Sequence, residues 1–413
     1  MQTVLKLPAA MLLPGMVAAA VLAGPARADV VTDWNVTGND IMTAANTGNN
    51  PRLRSLAMMH VAMSDAINTV DGRYMRVIAT MPPVPGASAE AAAAAAARHI
   101  LLELYPKQKT KIDDAYTASL KAIPDGAARS DGIALGEQVA AAVVADCASD
   151  GTNAADTYRP LTSPGVYVPT MNPVFPEYAK ARPWLLNKAD HFRPSPPPTL
   201  SSATWARDYN EVKSMGGVKS TMRTPEQTEA VKFWGNTNFG PSWQAAARHL
   251  SAAKELGLAD TARVFALLNM SLANNYVLNW DAKYHYNFWR PVTAIRNGDI
   301  DGNDATERDP GWTPLNMTPM HPEYPSQATM NATVAAAVLQ SVFGPVAAIP
   351  LTVTDVADAK KTRHFASIAD MVEEQKNVRI WGGVHYRSAI DTGAEMGRQL
   401  SAYMIDNALK PAP

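Results

Sequence analysis

Helical periodicity runs along almost the whole of this 413-residue chain, and at two places, 158–200 and 298–325, prolines and glycines replace it. Apolar residues recur at helical spacing over 51–70 (Leu53, Leu56, Met59, Met63, Ile67), and an alanine-rich stretch follows at 87–104. The same reasoning predicts helices over 108–121, 129–148, 201–214, 224–235, 242–256 and 259–288, then over 326–343, 354–379 and 387–408. The stretch 158–200, with its run Pro194-Ser-Pro-Pro-Pro198, reads as a long ordered loop or linker. No strand-dominated region and no repeat at fixed period is visible. The fold class is therefore all-α, one large or two packed helical bundles.

The first 28 residues have a short basic start (Lys6), an apolar stretch interrupted by Pro8, Pro14 and Gly15, and Ala26-Arg27-Ala28 before Asp29. This reads as a cleavable secretory signal, so a secreted or periplasmic protein is expected. Its removal takes away two cations and moves the net charge from −1 to −3. No other stretch is long and apolar enough to span a bilayer, so stable membrane insertion is not expected. The near-neutral balance without basic runs argues against a nucleic-acid partner. The lone Cys147 excludes an internal disulfide and a cysteine metal cluster, and reads as a buried small hydrophobe near a helix end. Nothing in the sequence specifies an oligomeric state. The expected division is a signal peptide at 1–28, an N-terminal helical region with its proline-rich loop at 29–200, and a C-terminal helical domain at 201–413.

That last region carries the chemistry. Lys283-Tyr-His-Tyr-Asn-Phe-Trp-Arg290-Pro291 fits Lys-x6-Arg-Pro; His321-Pro-Glu-Tyr-Pro325-Ser326 is a proline-braked turn into a predicted helix; Arg379-Ile-Trp-Gly-Gly-Val-His385 fits Arg-x5-His. Lys283 and Arg290 are seven apart, two helical turns, and are expected on one face. Cations converging without a partner repel, at about 4 kcal/mol per pair for ~4 Å and an effective dielectric of 20. Convergence therefore calls for an anion, and the planar fork of arginine grips tetrahedral oxyanions two oxygens at a time. Ser326 reads as an N-cap, where free backbone N–H groups also point at an anion. Gly382 and Gly383 before His385 imply backbone that approaches something closely.

In these three segments the chain resembles the superfamily of vanadium-dependent haloperoxidases and type 2 phosphatidic acid phosphatases. Its signature motifs are Lys-x6-Arg-Pro, Pro-Ser-Gly-His and Ser-Arg-x5-His, in this order. Trp34-Asn35 and Arg54-Ser-Leu-Ala-Met-Met-His60-Val-Ala-Met-Ser-Asp65-Ala-Ile-Asn68 look like the first helix of the bacterial haloperoxidase-like branch. The resemblance implies the family's helical-bundle fold and a vanadate cofactor, whose place phosphate takes in the phosphatases. It implies that Lys283, Arg290 and Arg379 bind the oxyanion oxygens, with Ser326 and the adjacent Gln327 donating further hydrogen bonds. His385 becomes the axial vanadium ligand of a peroxidase or the phosphorylated nucleophile of a phosphatase. Hydrogen peroxide and a halide or small organic molecule are the implied reactants.

The chain departs from the family where proton transfer is expected. After Pro325-Ser326 it reads Gln327-Ala328 in place of glycine and the acid/base histidine. Neither side chain exchanges a proton near neutral pH, and such assistance contributes about 10²–10⁴-fold. His321 is the first candidate substitute and His285, otherwise read as a packed core residue, the second. Val378 replaces the serine before Arg379, and Asp391 follows His385 by six residues instead of four. Three readings stay open: a vanadate-dependent peroxidase, which the upstream resemblance favours, a metal-independent acid phosphatase, and a non-catalytic oxyanion binder. Met317, Met320 and Met330 flank the second segment, and their oxidisable sulfurs argue mildly against release of free hypohalite. His60, Asp65 and Asn68 are expected to form a buried polar network, and Asp299–Asp304 a solvated acidic loop.

Overall fold

The computed structural model describes residues 29–236, 239–344, 351–354 and 360–413; the expected signal peptide lies outside them. Thirteen α-helices, three short 3-10 helices and one antiparallel pair of strands account for the regular structure of the described residues. The first five helices are α1 (Val30–Ala44), α2 (Asn49–Asp71), α3 (Ala89–Leu104), α4 (Lys109–Lys121) and α5 (Ala127–Cys147). After the long loop come α6 (Ala203–Gly216), α7 (Pro225–Asn236), α8 (Phe239–Ala253), α9 (Leu258–Tyr286) and the short α10 (Pro291–Arg296). The last three are α11 (Gln327–Phe343), α12 (Ile368–Trp381) and α13 (Arg387–Asn407).

Two helices are buried nearly all round, α2 and α9, and they pack on each other. Helices α3 and α5 close over α2 through small residues. Ala91 to Ala97 of α3 are all buried, and a Cβ added at Gly136 of α5 would lie 2.1 Å from the Ala92 carbonyl oxygen. Glycine at 132 and 136 therefore lets α5 settle onto the α3 backbone. The other half repeats the device: α11 lies against α9 and α13, and a Cβ at Gly393 of α13 would meet the Ser326 carbonyl at 2.4 Å. One apolar core runs from Val31 to Leu409. A second, aromatic cluster around Trp205, Tyr209, Trp289 and Tyr386 packs beside the last motif.

The proline-rich stretch is an ordered loop. Asn274 of α9 clasps it with both ends of its amide, accepting from Trp184 N at 2.6 Å and donating to Trp184 O at 2.8 Å. Side chains cap several helices: Asp29 accepts from Thr32 N, Ser88 from Ala91 N and Ser367 from Asp370 N.

The helix expected at 354–379 is half wrong. Leu351–Thr354 and Thr362–Phe365 pair as an antiparallel hairpin, and α12 starts only at Ile368. Threonines and Val353 there favour extended backbone, and Ser367 supplies the real helix start. Helices α1 and α10 escape the periodicity reading, the latter being only six residues long.

The expected polar network is three separate devices. His60 Nε2 accepts from Asn35, which also donates to Gln244 and accepts from Arg248, stitching α1, α2 and α8. Asp65 instead accepts from the backbone N–H groups of Val77, Ile78 and Ala79. Asn68 stops the α2 end by accepting from Tyr74 N. Cys147 is buried at the last position of α5. In the Asp299–Asp304 loop, Asp301 is buried and accepts from the Trp205 indole and Thr306, so it is structural and not merely solvated.

Burial first, and the Arg248 charge second, push the His60 imidazole down to about 3. The folded value lies below the unfolded one, so this contribution is complete above pH 6.5 and is lost as pH falls towards 3. Stability should therefore drop by up to about 1.4 kcal/mol per pH unit over that window from His60 alone. His60→Gln should flatten this acid limb in denaturant titrations by about one proton; an unchanged slope would refute the assignment.

Candidate functional site

The three motif segments meet at the ends of α9, α12 and α13. Lys283 sits in the last turn of α9, which ends at Asn287 in the left-handed region (φ 48°). The chain then runs extended, pairing Phe288 with Val166, to Arg290, the residue before α10. Lys283 and Arg290 thus do not share a helix face, as their spacing predicted. The helix breaks between them and Arg290 folds back. Arg379 occupies the last turn of α12, and His385 immediately precedes the N-cap of α13, Tyr386. Between them Gly383 adopts φ +76°, where an added Cβ would lie 2.5 Å from the Gly216 carbonyl oxygen. The close approach expected of Gly382-Gly383 is therefore against the end of α6.

Lys283 is fully buried, and Nζ donates to three carbonyls: Pro322 at 2.9 Å, Glu323 at 2.8 Å and Pro325 at 2.6 Å. Burial, followed by the charge of Arg290, lowers its pKa, opposed by Glu323. Three acceptors nevertheless require three N–H groups, which only the ammonium form has. All three are committed to backbone, so Lys283 offers an oxyanion its charge more than a hydrogen bond.

Arg290, also fully buried, donates from Nε to His321 O at 2.9 Å and from Nη1 to Val384 O at 2.7 Å. Its remaining contacts are to ring nitrogens, His385 Nε2 at 3.3 Å and His321 Nδ1 at 3.0 Å. A guanidinium only donates, so His385 Nε2 accepts and carries no proton, while His321 Nδ1 lies between the Arg290 guanidinium and the Pro322 carbonyl oxygen at 3.2 Å. Burial, then Arg290, Lys283 and Arg379 in that order, drives His385 well below the ordinary histidine value. His321 is lowered as well, by burial and then by Lys283 and Arg290. Both imidazoles are neutral. Arg379, half-buried, is pushed down to about 10 by burial and by Arg290.

Ser326 caps α11, its hydroxyl within 3.1 Å of Thr329 Oγ1 and 3.5 Å of Thr329 N. Gln327 opens α11, and Tyr276 of α9 hydrogen-bonds its side chain. The Gln327 Nε2 amide is buried without a hydrogen-bond partner among the described residues. His321 packs against Trp280 with the rings tilted by 42° and their centres 4.8 Å apart. His285 is exposed, packed edge-on against Tyr286, and is neither core nor part of the cluster. Asp391 is exposed on α13. Met317 is 76% exposed while Met330 is fully buried, so only the former is open to oxidants.

One residue at the centre escaped the sequence reading. Glu323, with no exposed surface, sets Oε1 2.6 Å from His385 Nδ1 and accepts from Tyr386 N at 3.0 Å. Burial pushes its carboxyl up to about 7, against the pull of Arg290 and Lys283. Two N–H donors converging on Oε1 and two cations nearby favour the carboxylate. The only signal in the sequence was an acid placed between prolines in the second segment.

Comparison with known proteins agrees with the motifs. Residues 263–412 match the model of the VCPO second helical-bundle domain. The vanadium chloroperoxidase of Curvularia inaequalis is 25% identical over 399 residues, covering 75% of this chain. In residues 263–412 the chain is matched by this domain family, and beyond it the chain is similar to vanadium haloperoxidases. It spans 64% of the length of that curated relative. The likeness in fold extends over most of the chain. The crystal structure of the first bacterial vanadium-dependent iodoperoxidase superposes with a TM-score of 0.78 at 23% identity, covering 93% of this chain and 97% of that one. A bacterial vanadium-dependent chloroperoxidase in its holo form gives 0.69 at 18% identity, over 92% and 93% of the two chains.

The Lys283 contacts make a first test of the site's construction. Lys283→Met should leave three buried carbonyls unpaired and destabilise the protein by about 3 kcal/mol or more, at about 1–3 kcal/mol per group. Chemical denaturation measures it. A loss below about 1 kcal/mol would mean that the clamp does not hold the 322–325 segment.

Proposed function

We propose that the chain is a secreted or periplasmic vanadium-dependent haloperoxidase-like enzyme, with its site in residues 201–413 behind an N-terminal helical region. The observation that carries this reading is a bare imidazole nitrogen, His385 Nε2, among three fixed cations. Lys283, Arg290 and Arg379 against Glu323 leave a surplus of two positive charges, which suits a dianionic tetrahedral oxyanion. The unpartnered Gln327 amide and the start of α11 add donors. These residues fit vanadate. His385 would hold it at Nε2, Arg290 and Arg379 would bind its oxygens, Lys283 would balance its charge, and Ser326 and Gln327 would donate to it. When bound, vanadate supplies a Lewis-acidic centre that activates hydrogen peroxide for oxidation of a halide or small organic molecule. Arg290 would exchange its contact with His385 for the oxyanion. No helix of the described residues is long and apolar enough to cross a membrane.

A second reading has a specific observation behind it. Gln327 and the buried Ala328 stand where the family has its acid/base histidine. A slow enzyme, a phosphatase using His385 as nucleophile, or an oxyanion binder would share this cradle.

Assays of the vanadate-loaded chain for peroxide- and bromide-dependent halogenation, beside phosphomonoester hydrolysis, separate these. Vanadate-dependent bromide oxidation is expected; vanadate-inhibited hydrolysis alone would assign the phosphatase, and silence with vanadate bound the binder. Arg379→Ala should abolish vanadate binding by calorimetry. Gln327→His or Ala328→His should raise kcat at least about tenfold if the missing acid/base limits turnover. No gain in either would mean that another group already serves.

A further inference from the structure

We infer that Glu323 is a positioning residue that fixes His385 in the tautomer with a proton on Nδ1 and a free lone pair on Nε2. The assignment follows from two neighbours on opposite edges of one ring. At 2.6 Å from Nδ1 stands a carboxylate oxygen, and at 3.3 Å from Nε2 a guanidinium nitrogen. A carboxylate only accepts and a guanidinium only donates, so both contacts demand the same tautomer. The alternative, a neutral carboxylic acid donating to Nδ1, would leave Nε2–H pointing at an N–H of Arg290. Imidazolium meets the same clash.

Glu323 is itself held on several sides. Its N–H donates to Phe288 O at 2.9 Å, its carboxylate accepts from Tyr386 N, and Lys283 grips the carbonyls of 322, 323 and 325. The line of control runs from Lys283 through the 322–325 backbone to Glu323 and then to the ring of His385. The carboxylate thus comes from 62 residues before the histidine, in the second segment, while Asp391 points to solvent from α13. An outer carboxylate of this kind also raises the basicity of the ligating nitrogen. This last consequence rests on the vanadate reading; the tautomer does not.

The test is nitrogen NMR of the full chain carrying ¹⁵N-histidine, with the His385 signals assigned through His385→Gln. In the ligand-free wild type, His385 should show a protonated Nδ1 and a bare Nε2. Glu323→Gln keeps an acceptor oxygen and should keep the tautomer. Glu323→Ala should bring in the Nε2–H form and weaken orthovanadate binding, read by calorimetry, by about 10–100-fold. If the alanine variant does not fold, Glu323→Asp, one methylene short of the ring, should produce the same shift in tautomer. A wild-type His385 protonated at Nε2, or a tautomer indifferent to Glu323→Ala, overturns the inference. If the tautomer follows Glu323 while wild type binds no orthovanadate, the positioning role stands and the proposed function falls.

Discussion

Everything at the centre of this protein depends on how one buried ammonium is satisfied. Lys283 comes off the end of a helix sealed on all sides, and water cannot solvate it there. It is stable only because three carbonyls from one short segment turn inward to meet it. Breaking a buried charge away from its partners costs several kcal/mol. That cost locks the 322–325 segment, and with it Glu323, Ser326 and the start of α11.

Arg290 plays the complementary part on the other side. Its donors go to His321 O and Val384 O, tying the second segment to the third. The cations described by the motifs are therefore struts as well as charges. This resolves an apparent conflict: three like charges repel, yet they sit together. Lys283 and Arg290 are surrounded by carbonyl dipoles, and one buried carboxylate lies among the cations. What remains is a modest positive surplus beside the His385 Nε2 lone pair.

The packing around the site uses small residues for accuracy. Alanines of α3 face glycines of α5, glycines of α13 face the start of α11, and Gly216 meets Gly383. Backbone-to-backbone contact leaves little room for sliding, so the three motif segments are held in fixed relation although about a hundred residues separate the first from the last. His385 inherits its position from that rigidity, since it stands between Gly383 and the N-cap of α13.

Much of this could be read before any coordinates. Helices follow from the 3.6-residue recurrence of apolar side chains, which is a local property, and the N-cap role of Ser326 follows from Pro325 before it and helix-forming residues after it. The residue types needed to hold an oxyanion were also visible, because their chemistry does not depend on context. Local reading failed where a few residues decide between alternatives. The helix expected from 354 misses the strand Thr362–Phe365, because a short stretch of this kind gains its pairing only from a partner strand. The seven-residue spacing of Lys283 and Arg290 implies one helix face, because nothing in it reveals the left-handed Asn287 between them. Which donors are spent on backbone, which tautomer His385 adopts, and that Glu323 sets it depend on atoms brought within 3 Å from distant parts of the chain. Sequence determined what chemistry was present; tertiary structure decided which of it is free to act, because hydrogen-bond satisfaction in a buried site is a property of the whole set of neighbours.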